Sequence, residues 1–262
     1  MSKLVDRRQV LRGLGAGLLV ACTGSDSRVD SGPGADVPTA GPWATGGTAA
    51  MTGKSSYPDP FAATATSCMI VSSSTAGPCT TASDLDREDI SEGWRGLPMR
   101  LGLRIVDTAC NPIAGALVKI WHTNIEGSYS GQTPNNAMCL LDQGYSSQDF
   151  MRGVRTTNAD GIVYFDTCFP GWYSGRAIHI HVQVSSGATT YRTSQLFFAE
   201  ELVADVFANH AEYKVFGQPN RSLASDGVAA GISSADLGDL LVEWARMSDG
   251  ALLASKTIAV TT

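Results

Sequence analysis

The chain predicts an all-β fold, an antiparallel β-sandwich with long loops around an active site and little helix. Three observations carry this. Short segments of alternating apolar and polar residues recur beyond Ser67, and turn signals rich in Gly, Pro, Asn or Asp separate them. Helical periodicity is weak almost everywhere.

The elements follow in order. "MRLGLRIVD" (Met99 to Asp107) alternates as a strand, "NPIAG" is a turn, and "ALVKIWHTN" (Ala116 to Asn124) is the second strand. "GIVYFDTCF" follows the turn "NADG", and "AIHIHVQVS" follows "PGWYSG". "TTYRTSQLFF" (Thr189 to Phe198) comes after a Ser-Gly turn. "DLLVEWARM" and "LLASKTIAV" form a last pair near the C-terminus, and "AEELVADVFANH" (Ala199 to His210) is the best short helix.

The 262 residues carry a net charge of −6 and 17% charged side chains, enough chain for one substantial core plus a tail. Mild acidity without a basic patch gives no nucleic-acid signal. The opening "MSKLVDRRQVLRGLGAGLLVACTGSDS" has twin arginines, Arg7 and Arg8, before a short apolar stretch. That stretch fits a signal-peptide core better than a membrane span, and the arginines suggest the twin-arginine export route. "LVAC" resembles a bacterial lipoprotein box with Cys22 as the lipidated residue; cleavage nearby or an uncleaved anchor is the alternative. Residues 1–22 are thus expected to be a signal, 23–66 a flexible Gly/Ser/Thr/Pro linker, and 67–262 the folded domain. The expected location is outside the cytoplasm, periplasmic or at the outer cell envelope. Membrane contact is expected only through the lipid anchor or signal.

Five cysteines remain after Cys22: Cys68, Cys79, Cys110, Cys139 and Cys168. No CxxC occurs and the spacings match no zinc site, so disulfides with one cysteine left over are the better expectation.

The chain holds four histidines, and two of them, His179 and His181, stand on alternate positions of a strand. They therefore project from one face. Such a pair serves a metal or merely lines a polar sheet face. Tyr173, six residues earlier on a Pro-Gly turn, can fold back over the same strand end, with Arg176 between. An unperturbed tyrosine titrates near pH ~10, so a phenolate ligand needs a strong cation beside it. Phenolate oxygen is hard and suits iron(III) better than zinc or copper(I). A further ligand is needed, and "IWHTNIEGSYSG" offers His122 and Tyr129.

"PIAGALVKIWHTNIEGSYS", followed by "FMRGVRTTNADGIVYFDTCFPGWYSGRAIHIHVQV", resembles the core of the intradiol ring-cleavage dioxygenases, the group of the catechol and protocatechuate dioxygenases. The likeness spans roughly Ser67 to Glu200, with several motifs in the family's order. It implies one non-haem ferric ion, Fe(3+), held by Tyr129, Tyr173, His179 and His181. Tyr173 matches the tyrosine that leaves the metal when substrate binds, and Arg176 an arginine that stabilises developing negative charge. Gln195, in "TSQLFF", matches a frequent active-site glutamine. His122 matches a histidine that is not a ligand and is expected to be packed and hydrogen-bonded. His210, near the helix end, is expected to be exposed.

The implied partners are a catechol-type molecule and O2, and the implied product is a muconate-type dicarboxylic acid. The sequence departs from the family at "STAGPCTT" (Ser74 to Thr81), where Cys79 replaces a tyrosine and becomes a candidate disulfide partner. "QTPNNAMCLLDQGYSSQDF" (Gln132 to Phe150) is expected to be a mobile pocket wall, with Tyr145 as a conceivable alternative ligand. The competing reading is a non-catalytic metal-binding or structural protein of the cell envelope on the same scaffold.

Overall fold

The computed structural model describes residues 41–62, 68, 71–82 and 84–261. The signal, Cys22 and the first part of the expected linker lie outside the described residues. Eight strands form two four-stranded sheets. The first has the order β4-β1-β8-β7, built from β1 (Pro98–Val106), β4 (Ile162–Cys168), β7 (Glu243–Arg246) and β8 (Leu252–Ala259). The second has the order β3-β2-β5-β6, built from β2 (Leu117–Trp121), β3 (Arg152–Thr156), β5 (His179–Ser186) and β6 (Thr189–Phe197). Every ladder is antiparallel except β1 with β8, which run parallel in the register Met99↔Leu252.

Alternation dictates the core. Leu101, Leu103 and Ile105 of β1 and Ala254 of β8 share one buried cluster with Val118 and Ile120 of β2 and Ile180, Val182 and Val184 of β5. Each of the Leu, Ile and Val side chains contributes roughly 1.5–3 kcal/mol on leaving water. The same period of two turns His179, His181 and Gln183 to the opposite face of β5. The helix α2 (Glu200–Asn209) buries Leu202, Val203, Val206 and Phe207, an apolar stripe at helical spacing. Two shorter helices, α1 (Asn136–Cys139) and α3 (Ser234–Gly238), complete the α-helical content of the described residues. No helix among them is long and apolar enough to cross a membrane.

Strand β3 was not among the expected strands. "RGVRT" has a single aliphatic residue, and its extended state is imposed from both sides, by β2 and by residues 84–90. That segment covers two sheet edges at once. Leu85 O accepts from Val154 N, while Glu88 O accepts from Asp166 N and Asp166 O from Ile90 N. Edge strand β6 is covered by residues 72–74, where Ser74 N donates to Thr193 O. Exposed edges invite pairing with other chains, and these segments remove that opportunity.

The linker expectation needs correction over residues 41–62. Trp43 joins the core, donates from Nε1 to Asp205 at 2.7 Å and stacks under the Arg246 guanidinium at 3.6 Å. Met51 packs with Met247, Ala251 and Leu253. Lys54 reaches the buried Asp166 at 2.6 Å, and Tyr57 donates to Asp249 at 2.8 Å. Single anchors spaced several residues apart leave no periodic trace, so composition alone reads this strap as a linker.

His210 is corrected with it. It is buried, its Nε2 donating to Ala44 O of the strap at 2.8 Å and its Nδ1 accepting from Glu212 N at 3.1 Å.

The cysteines pair Cys68 with Cys110 and Cys79 with Cys139, leaving Cys168 buried and free. This is the expected framework with one cysteine over.

Candidate metal centre

The ladder register sets a row of side chains across the second sheet. Arg152 pairs with Trp121, Trp121 with His181, and His181 with Gln195. Paired residues project from the same face, so one transverse row carries all four, on the side away from the apolar core. Trp121 and the His181 imidazole stack 4.8 Å apart and 2° from parallel, which fixes the plane of the ring. His179 stands two positions along, its ring centroid 4.9 Å from that of His181.

Two loops bring tyrosines over this row. The first follows β2 and carries Tyr129; the second follows β4 and carries Tyr173. They meet backbone to backbone. Gly171 N donates to Asn124 O at 3.0 Å, and Thr123 Oγ1 donates to Gly171 O at 2.6 Å. Gly127 has φ +86°, the left-handed region that favours glycine, and a Cβ there would lie 2.1 Å from Trp172 O.

Three donor atoms converge as a result. Tyr129 Oη lies 3.2 Å from His179 Nε2 and 3.4 Å from Tyr173 Oη, and Tyr173 Oη lies 3.3 Å from His179 Nε2. His179 Nδ1 donates to Ala177 O at 2.7 Å, which leaves the Nε2 lone pair facing the tyrosine hydroxyls. The His181 imidazole makes no hydrogen bond among the described residues, and its Nδ1 is buried without a partner.

Electrostatics alone make the tyrosines poor phenolates. Burial pushes both hydroxyls above their ordinary value, Tyr129 well above it. Burial, reinforced by nearby Arg176, pushes His179 down to about 3, and His181 falls well below the usual imidazole range. Both imidazoles are therefore neutral, as metal ligands must be.

Among the described residues no group of three or more His, Cys, Asp or Glu converges on one point, so the donor set is a tyrosine–histidine one. Metal–donor bonds of about 2 Å place neighbouring ligands roughly 3 Å apart, as Tyr129, Tyr173 and His179 are. The orphaned Nδ1 of His181 and two hard phenol oxygens also fit a trivalent cation, which would stabilise the phenolates that burial disfavours. The residues fit ferric iron.

Arg176 borders this cluster. Its Nη1 lies 3.4 Å from His179 Nε2, its Nη2 donates to Gln195 Oε1, and its Nε donates to Asp226 Oδ2 at 2.8 Å. Burial works against the guanidinium charge, yet the Asp226 hydrogen bond and the tyrosines hold its pKa above the usual value. Gln195 is fully buried, with Nε2 donating to Thr75 O at 3.2 Å.

The departing segment "STAGPCTT" forms part of the surround. A Cβ on Gly77 would meet the His181 ring at 3.4 Å, and Cys79, Cys139, Trp121, Tyr129 and Leu140 form one buried cluster. Cys139 O accepts from Tyr129 N at 3.0 Å, so the Cys79–Cys139 disulfide lies one hydrogen bond from a tyrosine of the site.

Tyr129, Tyr173, Arg176, His179 and Gln195 thus come together, with His181 stacked beside them. His122 stays outside as a buried, hydrogen-bonded histidine, with Nδ1 on Thr123 O and Nε2 on Thr167 Oγ1, both at 2.9 Å. Tyr145 does not join: its hydroxyl donates to Glu126 at 3.1 Å and its ring packs edge-on to Trp94 and Phe150.

Sequence reasoning missed Asp226 and Arg152. "SDG" at Asp226 carries only a turn signal. Arg152 is fully buried, tying Ser130, beside Tyr129, to Cys79 O and Thr81 Oγ1; its sequence signal was the pairing register, invisible without β3.

Comparison with known proteins places the chain in a family. The family model described as Dioxygenase (Dioxygenase_C) matches residues 75–234, more than half of the chain. Catechol 1,2-dioxygenase 1 of Acinetobacter lwoffii is 32% identical over 117 residues, covering 37% of this chain and 35% of that protein. The chain thus spans about a third of that relative's length. An intradiol ring-cleavage dioxygenase from Tetranychus urticae superposes with a TM-score of 0.65 at 27% identity, covering 74% of this chain and 95% of that one. The dioxygenase domain of a carbohydrate-binding fusion protein from Streptomyces sp. SirexAA-E shares the fold, with a TM-score of 0.53 at 20% identity over 73% of this chain and 97% of that one. The chain belongs to the intradiol ring-cleavage dioxygenase family.

Proposed function

We propose that this protein is a ferric dioxygenase that cleaves a catechol-type ring between its two hydroxyl-bearing carbons. Both atoms of O2 enter the product, a muconate-type dicarboxylic acid. The observation that carries the reading is the triangle of Tyr129 Oη, Tyr173 Oη and His179 Nε2, with Arg176 Nη1 3.4 Å from its histidine corner.

Tyr129, Tyr173, His179 and His181 would hold the iron, which when bound supplies Lewis acidity to a chelating diol and makes the bound ring electron-rich. The side chains do the rest. Tyr173 is only partly buried on its loop, and its Oη is the group placed to accept a catechol hydroxyl proton. Burial raises its pKa, so as a phenolate it is a strong base. Tyr129, His179 and His181 are buried and stay fixed. Arg176 keeps its charge at every working pH and donates to negative charge as it develops on the substrate oxygens. Gln195 holds one edge of that guanidinium. Trp121 and the disulfide exclude water from one side of the cluster.

The test is spectroscopic and kinetic. The iron-reconstituted domain should show a visible tyrosinate-to-iron(III) band, lost or strongly shifted in Tyr129→Phe and in Tyr173→Phe. It should consume one O2 per catechol. A colourless protein that takes up no iron, or a coloured one inert towards a panel of catechols, would leave the non-catalytic reading standing.

We further propose an exported protein, tethered at the cell envelope through lipidated Cys22. Support comes from the twin-arginine opening and from the two disulfides, which persist in oxidising compartments. Cys22→Ser should release the domain from the membrane fraction; unchanged fractionation would rule out the anchor.

A further inference from the structure

Asp226 lies beyond the sequence motifs quoted above, in "SLASDGVAAGI", yet it touches the site through Arg176. It is fully buried, and both carboxylate oxygens are occupied. Oδ1 accepts from Val228 N at 2.8 Å and Ala229 N at 2.7 Å. Oδ2 accepts from Ala177 N and from Arg176 Nε, both at 2.8 Å. Three backbone donors pin the carboxylate, and among the described residues its one charged partner is Arg176. A buried carboxylate is costly unless it is paired and hydrogen-bonded in this way.

The guanidinium is held at two of its three nitrogens. Nε rests on Asp226 and Nη2 on Gln195, itself anchored to Thr75 O. A planar group fixed at two corners has no rotation left, so the third corner, Nη1, faces His179 Nε2 and the tyrosine hydroxyls. Without Asp226 the side chain would keep only Gln195 and could swing towards solvent, since it is 17% exposed.

We propose that Asp226 is a positioning residue for ring cleavage, fixing the Arg176 guanidinium so that Nη1 meets negative charge developing on the substrate. This rests on the dioxygenase reading above. The Asp226 side chain bonds none of the four candidate metal ligands and acts through Arg176.

Two measurements test it. In the iron-loaded full chain, Asp226→Asn keeps an oxygen for Val228 and Ala229 but offers Arg176 an N–H instead of an acceptor. It should retain the iron content and the visible band while kcat falls about ten- to a hundredfold and KM changes little, the effect of a misplaced charge. Wild-type kcat in that variant would overturn the proposal.

The second measurement leaves Asp226 in place and so decides the matter if the Asn variant loses iron. Arg176→Ala should be rescued by added guanidinium, saturably, and not by ammonium at equal concentration, because the carboxylate and Gln195 together select a planar fork. Equal rescue by both cations, or by neither, would also overturn it. If the iron-loaded wild type cleaves no catechol, the dioxygenase reading fails first and the proposal falls with it. An active wild type with an unaffected Asp226→Asn removes the proposal alone.

Discussion

A methyl group at residue 171 would sit 2.4 Å from the carbonyl oxygens of both Asn124 and Ile125. No rotamer relieves that contact, because both partners are backbone. Gly171→Ala must therefore push apart the loops that carry Tyr129 and Tyr173. Denaturant unfolding should show a loss of roughly 2–4 kcal/mol, and iron titration should show weaker binding even where the variant folds. Unchanged stability and iron affinity would mean that the loops need not touch.

At the same scale, the sequence was legible wherever a residue's chemistry is unusual for its context. Two histidines in alternation, two tyrosines in Gly-rich loops and one arginine between them pointed to five residues that the structure gathers. It was silent where ordinary residues act through position. Asp226 looks like any aspartate in a turn, and only the fold shows that it is buried against Arg176.

Two elements outside the sheets brace the fold, and one of them adjoins the site. The Cys79–Cys139 disulfide closes a loop of sequence separation 60 next to Tyr129. Loop-closure entropy gives such a link about 4 kcal/mol. Cys79→Ser/Cys139→Ser should lower the unfolding free energy by roughly 2–4 kcal/mol and shift the tyrosinate band, since Cys139 O holds Tyr129 N. A band identical to wild type would separate the disulfide from the site.

The strap of residues 41–57 is the second element. Trp43→Ala removes a nearly buried indole, its bond to Asp205 and its stack on Arg246, and should cost about 3 kcal/mol in urea unfolding. If the strap were a linker, the cost would be near zero. Strands with alternating patterns were readable in advance; the strap was not, because it is held by isolated anchors rather than by a repeating face.

For the whole molecule, the four histidines are all buried, and each is held below its ordinary pKa chiefly by burial. His122, which touches no candidate ligand, is pushed down to about 4. A lowered folded-state value means that the unfolded chain binds the proton more readily, so stability is full above about pH 6.5 and drains away as pH falls towards 4. His122 alone should account for about 2 kcal/mol by pH 5, with the others adding to it. Unfolding of the metal-free protein at pH 7 and pH 5 measures this directly, and equal stability at the two values would exclude neutral burial of His122.

The two sheets also differ in when they can be finished. The sheet bearing His179, His181 and Gln195 draws all its strands from residues 117–197, so each of its pairings is available once that stretch of chain exists. The other sheet must wait for residues 252–259 to insert beside β1, about 150 positions away in sequence, in its one parallel ladder. Contacts that distant form slowly. A chain still being synthesised could therefore pair its ligand strands early, but it would lack Asp226 behind Arg176 and the far wall of its core until residues 226 and 252–259 had been added. Of the eight described strands, the one that joins β1 to β7 in the first sheet is thus also the latest to be made.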